Sequence, residues 1–264
     1  MNFSVHQASH IGNRRFNQDR AAYAYDNAAL LLVLADGMGG HLHGEQASGL
    51  AIEAFIDAFD RYARARRTDP QAFLEQAMRD ADRRIQNLSR DDLPGGAPGS
   101  TCVAALVQDG KVHWGHAGDS RFYLLRDGAV MAMTRDHSMV QQWVESGLLT
   151  AAQAKVHSQR NKITNCLGGI QGIFHMEPGE PVELHSGDVL LLGSDGLWGP
   201  LDDEDLVGAF AMRPVDEALD YLIAQALRRE AGKSDNVTGI ALRWGDGEPG
   251  HDTAEPVSHI LKIT

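Results

Sequence analysis

The sequence is poor in cysteine and in long apolar runs, and each shortage excludes a class of protein. Cys102 and Cys166 are its two cysteines and neither lies in a CxxC pair, so a disulfide framework is excluded and reduced thiols are expected. The most apolar run, residues 28–35, is far too short to span a bilayer, and the N-terminus has no stretch typical of a signal peptide. We therefore expect a soluble, cytoplasmic protein without a membrane span.

Basic residues are also scarce relative to acidic ones. The chain has 24 Lys and Arg against 36 Asp and Glu, which gives a formal net charge of -12. Nucleic acids are bound mainly through clustered Lys and Arg, so this balance disfavours a nucleic acid as the main partner. A hydrophobic fraction of 43% in 264 residues is enough for the core of one large domain.

The first half of the chain predicts a buried strand followed by a pair of helices. Residues 28–35 form a continuous apolar run that ends at Asp36-Gly37, which is typical of a strand buried on both faces. Apolar residues then recur at three- and four-residue steps over 47–62 and again over 74–88. These segments predict two amphipathic helices that pack side by side.

The rest of the chain has the period of antiparallel strands. Asp109-Gly110 and Asp127-Gly128 each separate two strand-like segments, which predicts two hairpins. Further elements are predicted as a strand over 189–193, a helix over 215–229 and a strand over 237–244. Strands in hairpins with helices grouped elsewhere favour an α+β fold. We expect one domain over residues 1–245, followed by a loose C-terminal tail over 246–264 that is rich in Gly, Pro, Asp and Glu.

Three aspartates share an unusual context, because each is attached to the end of an apolar strand segment. Asp36 follows the run LLLVLA, Asp195 follows VLLLGS, and Asp235 lies just before the strand that begins at Val237. A carboxylate in such a place costs desolvation free energy unless it is paired or bound to a metal. The glycines after Asp36 and Asp195 allow the backbone to come close to a ligand.

Oxygen ligands of this kind suit the hard divalent cations Mg²⁺ and Mn²⁺. Carboxylates that meet at one sheet edge would hold two ions bridged by water, and such a pair promotes the hydrolysis of a phosphate ester. The alternative interpretation is structural, because Asp-Gly is also a very common turn dipeptide. Periodicity and turn chemistry alone leave the choice between ligand and turn open at Asp36 and Asp195.

Seven short motifs occur in order along the chain, and together they resemble the metal-dependent protein phosphatase family, also called the PPM or type 2C phosphatases. They are RRFNQD from Arg14, DGMGG from Asp36, GDSR from Gly118, TRDHS from Thr134, HSQRNKITNCLG from His157, SDGLW from Ser194 and DNVT from Asp235. The resemblance covers roughly residues 5–244. DGMGG and the segment from His157 are similar to the bacterial branch.

The resemblance implies a four-layer α-β-β-α sandwich of two antiparallel sheets flanked by helices. It also implies two Mn²⁺ or Mg²⁺ ions per active site, with Asp36 bridging both and the carbonyl of Gly37 on the second. Asp195 and Asp235 would hold the first ion. Asp119 would help to bind a third, weaker ion.

Around these ligands, the resemblance assigns further roles. Arg14 would grip the substrate phosphate, because a guanidinium can make two charge-assisted hydrogen bonds. Arg15 is its competitor, and the spacing favours Arg14. Asp19 and Gln18 would lie just outside the ligand set, where Gln18 can hydrogen-bond a metal-bound water.

The activity implied by the resemblance is hydrolysis of phosphoserine and phosphothreonine in proteins, by a water activated at the two-metal centre. The expected partners are phosphorylated proteins and a bacterial Ser/Thr protein kinase whose products the enzyme reverses, and the chain is expected to be a monomer. Two alternatives are a non-catalytic regulator that binds phosphoproteins and a different two-metal phosphoesterase, such as one acting on nucleic acid. The presence of Asp36, Asp195 and Asp235 argues against the first, and the acidic charge argues against the second.

The chain departs from the family pattern at four positions. Gln18 stands where a glutamate is frequent, which implies weaker metal affinity. Met38 replaces a histidine proposed as general acid in the DGHGG branch, so the leaving-group proton would come from water or another residue. Gly199 stands where a further aspartate is common, and Asn165 replaces a frequent arginine. Residues 155–162 are expected to belong to a flap near the active site, where loops carry specificity.

The histidines are assigned structural roles. His137 in TRDHS is a candidate proton donor, but a hydrogen-bonded structural role is preferred. His113 and His116 fall in a strand of alternating character. His41 and His43 follow DGMGG closely, yet an oxygen-dominated metal site rarely needs them, so they are expected outside the ligand set or in solvent.

Overall fold

The computed structural model describes residues 1–39, 42–64, 69–88, 97–169, 174–245 and 256–261. The strands are β1 (Phe3–His10), β2 (Asp19–Tyr25), β3 (Ala29–Met38), β4 (Gly99–Ser100), β5 (Cys102–Gln108), β6 (Lys111–Ala117), β7 (Arg121–Arg126), β8 (Ala129–Met133), β9 (Glu177–Pro178), β10 (Val182–Glu183), β11 (Val189–Gly193), β12 (Val237–Trp244) and β13 (Val257–Ile260). The helices are α1 (Leu42–Arg64), α2 (Pro70–Leu88), α3 (Met139–Glu145), α4 (Ala151–Lys155), α5 (Asp195–Trp198), α6 (Asp203–Met212) and α7 (Val215–Arg229).

The strands form two antiparallel sheets. One has five strands in the order β1-β12-β11-β7-β8. The other has eight, in the order β10-β6-β5-β3-β2-β13, with β4 paired to β3 and β9 paired to β6. Strands β6 and β7 are consecutive in the chain but lie in different sheets, so the short connection between them crosses from one sheet to the other.

Three apolar layers hold the sheets and helices together. The layer between the two sheets includes Leu32, Val103, Phe122, Leu190 and Ile240. The outer face of the eight-stranded sheet is covered by α1 and α2, and the outer face of the five-stranded sheet by α6 and α7. The four-layer α-β-β-α sandwich is therefore confirmed.

Strand β3 supplies side chains to two of these layers. Its residues alternate, so that Leu31 and Val33 face α1 and α2 while Leu30, Leu32 and Leu34 face the other sheet. All of them are buried. The prediction of a strand buried on both faces is confirmed, and the strand continues three residues beyond the predicted end at residue 35.

The two Asp-Gly pairs form the predicted hairpin turns. Asp109 and Gly110 have φ angles of 52° and 72°, and Asp127 and Gly128 have 49° and 76°. Positive φ at both central residues is the mark of a type I′ turn, whose twist matches that of the strands that it joins.

The predicted helices are present and longer than their periodic cores. Helix α2 begins at Pro70, where a missing N–H group costs nothing. Residues 65–68 and 89–96, before and after α2, lie outside the described residues. No helix in the described part of the chain has the length and apolar character needed to cross a membrane.

The expectation of a loose tail is wrong for the residues of β13. This strand pairs with β2 along the edge of the eight-stranded sheet, from Val257 opposite Tyr25 to Ile260 opposite Ala22. The ring of His259 stacks on that of Tyr23 with 4.6 Å between ring centroids. Pairing and stacking order this short strand, although the residues that precede it have the composition of a loop. The rest of the predicted tail, 246–255 and 262–264, lies outside the described residues.

The packing of α1 on the eight-stranded sheet generates a stability prediction. Phe55 is fully buried against that sheet, so Phe55→Ala should lower the free energy of unfolding by about 3–5 kcal/mol in a urea titration. Glu53→Ala, on the exposed face of the same helix, should change it by less than about 0.5 kcal/mol. Equal effects of the two substitutions would contradict this packing.

Candidate metal centre

Five aspartates converge where the inner strands of the two sheets come together. Asp19 and Asp36 face each other in the register of β2 and β3. From the other sheet, Asp195 follows the end of β11 and Asp235 lies just before β12. Asp119 lies in the crossover between β6 and β7. Four of the five influence the pKa of Asp36, which shows that their charges meet in one place.

Burial and mutual repulsion raise the pKa values of these carboxyl groups. The pKa of Asp36 and that of Asp195 both lie well above the usual value, because of burial first and then because of neighbouring aspartates. Burial, with a contribution from Asp136, raises the pKa of Asp119 to about 7. The pKa of Asp19 is raised to about 6, mainly by burial, although hydrogen bonds from Thr238 and Ser194 lower it.

Two carboxylate oxygens at the centre of the cluster lack hydrogen-bond partners. Oδ1 of Asp19 and Oδ1 of Asp195 are buried and have none among the residues that the structure describes. A buried polar atom without a partner is costly, and in native proteins it usually has a ligand or an ordered water. Clustered carboxylates with free oxygens are the donor set that Mg²⁺ and Mn²⁺ prefer, so the residues present fit a divalent-cation centre.

Asp19 is fixed to the opposite sheet by Ser194. The hydroxyl of Ser194 donates to Oδ2 of Asp19 at 2.8 Å and accepts from the backbone N–H of Thr238 at 3.1 Å. One carboxylate oxygen of Asp19 thus accepts a hydrogen bond from Ser194, and the other has no protein partner among the described residues. This hydrogen bond ties the two sheets together at the aspartate cluster.

Gly37 lies in a space that admits no side chain. A Cβ atom on this residue would lie 1.9 Å from the carbonyl oxygen of Gly44. The N–H of Gly37 donates to the carbonyl of Gln18 at 3.1 Å. The side chain of Gln18 donates to the carbonyl of Gly39 at 3.3 Å, so it lies beside the end of β3.

Arg14 reaches the cluster from a loop that Asn236 holds in place. The amide of Asn236 donates to the carbonyls of Ile11 and Phe16 at 2.8 and 3.0 Å, and so closes the loop that carries Arg14. The guanidinium of Arg14 donates to Oδ2 of Asp235 at 2.5 Å, while its side chain remains 57% exposed. Arg14 is therefore at the mouth of the site, in direct contact with one of the predicted ligands.

The closeness of this loop to Asp235 requires a glycine. Gly12 has a φ of +63°, and a Cβ there would lie 2.0 Å from the carbonyl oxygen of Asp235. The backbone of the loop therefore contacts the backbone of Asp235, just before β12.

A cleft of about 760 Å³ opens from the carboxylate cluster. Its inner end is lined by Arg14, Asp119, Asp195 and Asp235. Asp36 is not among the residues that line it. One wall is formed by residues 140–161, and the opposite wall by residues 198–204. We call the segment 139–164, with α3 and α4, the flap.

The flap is tied to the opposite wall of the cleft by an ion pair. Nζ of Lys155 in α4 lies 2.6 Å from Oδ1 of Asp202, which caps α6. Both side chains are more than half exposed, so this pair contributes little stability. It nevertheless places the predicted flap segment beside the active-site cleft, as expected.

Arg121, Asp136 and Trp198 support the site, although the motifs that contain them predict no role for them. Arg121 makes two hydrogen bonds to Asp136, at 2.7 and 2.8 Å, and its guanidinium lies 3.5 Å from the ring centroid of Trp198. Nε1 of Trp198 donates to the carbonyl of Asp119 at 3.0 Å. The signal available in the sequence was their position in GDSR, TRDHS and SDGLW.

A family profile decides the affiliation of the chain. The profile described as protein phosphatase 2C matches residues 6–231. The chain belongs to this family. Its members include the serine/threonine protein phosphatase PstP of Mycobacterium tuberculosis, with 39% identity over 229 residues, covering 86% of this chain and 42% of PstP. This chain thus spans less than half of that relative's length.

Another relative and a solved PstP catalytic domain cover this chain more fully. A putative protein phosphatase 2C-type from Streptococcus pyogenes is 31% identical over 243 residues, covering 90% of this chain and 96% of its own. The solved catalytic domain of PstP in complex with 2 manganese ions has a TM-score of 0.77 at 34% identity, covering 92% of this chain and 98% of that one. The resemblance inferred from the motifs is confirmed.

The raised pKa of Asp119 generates a pH prediction for the protein in chelator. A carboxyl group whose pKa is higher in the folded state binds more protons when folded, so its contribution to stability is lost as the pH rises. For Asp119 the window runs from about pH 4 to about pH 7. Asp119→Asn should therefore raise the unfolding free energy at pH 7.5 by on the order of 2 kcal/mol, and should have no such effect at pH 4.

The measurement is urea unfolding at both pH values, with exposed Asp216→Asn on α7 as the control. Saturating Mn²⁺ should reverse the order at pH 7.5, so that the unsubstituted protein is the more stable one. A stabilisation by Asp119→Asn that is the same at pH 4 and pH 7.5 would contradict the assignment of a raised pKa.

Proposed function

We propose that this chain is a metal-dependent protein serine/threonine phosphatase. It hydrolyses phosphoserine and phosphothreonine in proteins at the carboxylate cluster. The observation that carries the proposal is the convergence of five aspartates, two with partnerless buried oxygens, three of which (Asp119, Asp195 and Asp235) line a large cleft. Membership of the protein phosphatase 2C family supports the reaction type.

The ligand assignment is the one that the family resemblance implies, and the convergence of the aspartates supports it. Asp36, the carbonyl of Gly37, Asp195 and Asp235 would hold two Mn²⁺ or Mg²⁺ ions, and Asp119 would take part in binding a third, weaker ion. When bound, such ions lower the pKa of a coordinated water and neutralise charge on the transferring phosphoryl group. A PstP catalytic domain has been solved with 2 manganese ions, which supports the stoichiometry proposed for this chain.

The side chains of this chain then position the substrate. Arg14 stands at the mouth of the site with an exposed guanidinium, and such a group can grip a phosphate through two charge-assisted bonds. Met38 offers no proton, so we assign the protonation of the leaving oxygen to water. The cleft continues beyond the carboxylates between the flap and residues 198–204, which leaves room for a peptide on both sides of the phosphorylated residue.

The biological setting is part of the proposal. We propose that the protein acts as a monomer in the cytoplasm and reverses the products of a bacterial Ser/Thr protein kinase. The acidic net charge of -12 supports protein substrates over nucleic acid. A non-catalytic phosphoprotein-binding regulator is the competing function, and the intact carboxylate cluster argues against it.

The first test is hydrolysis of a phosphothreonine peptide with Mn²⁺, with and without chelator. The unsubstituted protein should be active only with the metal, and Asp195→Asn should lose at least about a hundredfold in kcat/KM because charge stabilisation at the phosphoryl group is lost. Activity in chelator, or full activity of Asp195→Asn, would contradict the two-metal centre. Metal binding without hydrolysis of phosphopeptides would instead favour the regulator.

Arg14 and Arg15 form a matched pair for the phosphate-binding role. Arg14 lines the cleft and contacts Asp235, whereas Arg15 is an exposed neighbour. Arg14→Ala should raise KM for the peptide about tenfold or more, since a charged hydrogen bond is worth about 1.5–3 kcal/mol. Arg15→Ala should leave steady-state kinetics unchanged. The reverse result would transfer the role to Arg15.

A further inference from the structure

Behind Asp119, on the side away from the cleft, lies a group of polar side chains that the proposed reaction does not use. His116, His137 and Glu177 have their ligand-type atoms within 4.8 Å of one another. His116 is 2% exposed. Asn165, at the end of the flap, joins them through a hydrogen bond to His137.

His137 holds Gly118, the residue before Asp119, by two hydrogen bonds. The backbone N–H of Gly118 donates to Nδ1 of His137 at 3.1 Å. The backbone N–H of His137 donates back to the carbonyl of Gly118 at 3.0 Å. Gly118 has a φ of +111°, and a Cβ there would lie 2.6 Å from Thr101, so the crossover has little freedom to move toward β5. The position of Asp119 is therefore set from behind by one histidine.

Asn165 determines which nitrogen of His137 carries the proton. Its Oδ1 accepts from the backbone N–H of His175 at 3.3 Å and its Nδ2 donates to the carbonyl of His175 at 2.8 Å, which fixes the amide orientation. Nδ2 also lies 2.9 Å from Nδ1 of His137. Two N–H groups, from Asn165 and Gly118, thus point at Nδ1, which must be an unprotonated acceptor.

The proton of His137 is then on Nε2, where it meets a carboxylate. Nε2 lies 2.9 Å from Oε2 of Glu177, a distance that suits N–H donation to that group. Although burial raises the pKa of Glu177, the hydrogen bond from His137 and nearby positive charge lower it overall, so the acceptor is the ionised form. The chain of contacts runs from Glu177 through His137 to Gly118.

The same geometry argues against a metal ion at these histidines. The rings of His116 and His137 are stacked, with centroids 4.3 Å apart and 15° between their planes. A metal lies close to the plane of each imidazole that binds it, and two stacked rings share no such point. Metal binding through Nε2 would also require a proton on Nδ1, which faces two donors.

We propose that His137 is a positioning residue for Asp119, fixed in its Nε2–H form by Asn165 and Glu177. It thereby couples the base of the flap to the weaker metal position. This inference rests on the proposed function, because it takes Asp119 as a metal ligand. Partners that orient a ligand from outside the coordination sphere commonly account for 10–100-fold in metal affinity.

The coupling reaches the flap because both of its ends are anchored at His137. The carbonyl of His137 accepts from the N–H of Thr164 at 2.8 Å, and the N–H of Met139 donates to the carbonyl of Lys162 at 2.9 Å. Asn165 follows Thr164 directly. A displacement of the flap base would therefore move the same histidine that holds Gly118, and through it the carboxylate of Asp119.

The first experiment measures the tautomer in the metal-free protein by ¹⁵N NMR of the histidine rings. We expect the Nε2–H form of His137, and Asn165→Ala should increase exchange with the other tautomer. Nδ1 protonation of His137 in the unsubstituted protein would overturn the inference. This readout needs neither metal nor activity.

The second experiment titrates Mn²⁺ into the protein by calorimetry and by hydrolysis of a phosphothreonine peptide. His137→Ala should weaken the weaker Mn²⁺ site about tenfold and Asn165→Ala should weaken it by a smaller factor, while the tighter sites are unchanged. At saturating Mn²⁺, kcat should recover and KM for the peptide should stay the same. A fold defect would instead lower the apparent kcat at every Mn²⁺ concentration, and metal would not rescue it.

The ring of His175 contacts that of His137, so the control is instead His185→Ala, at an exposed histidine between β10 and β11. It should leave the weaker site unchanged. If His137→Ala does not fold, Asn165→Ala decides the question, and an unchanged weaker site in that variant overturns the inference. If the unsubstituted protein binds Mn²⁺ but hydrolyses no phosphopeptide, the proposed function fails while the calorimetric comparison still tests the role of His137.

Discussion

The structure depends on the cost of placing several carboxylates together at the junction of two sheets. Burial disfavours their charged forms and each charge raises the pKa of its neighbours, as at Asp36 and Asp195. Such an arrangement persists only if the surrounding scaffold is rigid enough to impose it. The apolar layer between the sheets and the cross-sheet bond from Ser194 to Asp19 supply this rigidity. A divalent cation would convert the repulsion into attraction.

The rest of the site consists of supports that restrict the backbone around the aspartates. Asn236 closes the Arg14 loop, Trp198 holds the carbonyl of Asp119, and glycines occupy the positions where backbone meets backbone. Each of these contacts is made between groups of the protein itself, so the fold restricts the backbone that carries the aspartates.

The sequence allowed the central strands, the helix pair, both Asp-Gly turns and the family of the chain to be predicted, because each leaves a local pattern. What it did not reveal depends on register and on contacts between distant segments. Ser194 and Asp19 are 175 positions apart, and nothing local to either predicts their bond. Strand β13 was hidden for the same reason, since it has only four residues and its order comes from pairing with β2 and stacking on Tyr23. Likewise, TRDHS identifies His137 but not the residue it holds.

The position of Asp119 in the crossover links the geometry of the aspartate cluster to the packing of the two sheets. Asp36 and Asp19 belong to one sheet, Asp195 and Asp235 to the other, and Asp119 lies on the strand-to-strand connection that spans the gap. The distances among the carboxylates therefore depend on the spacing between the two sheets. Sequence changes in the apolar layer, far from any ligand, would adjust that spacing, so that core packing is a means by which evolution can tune metal affinity in this fold.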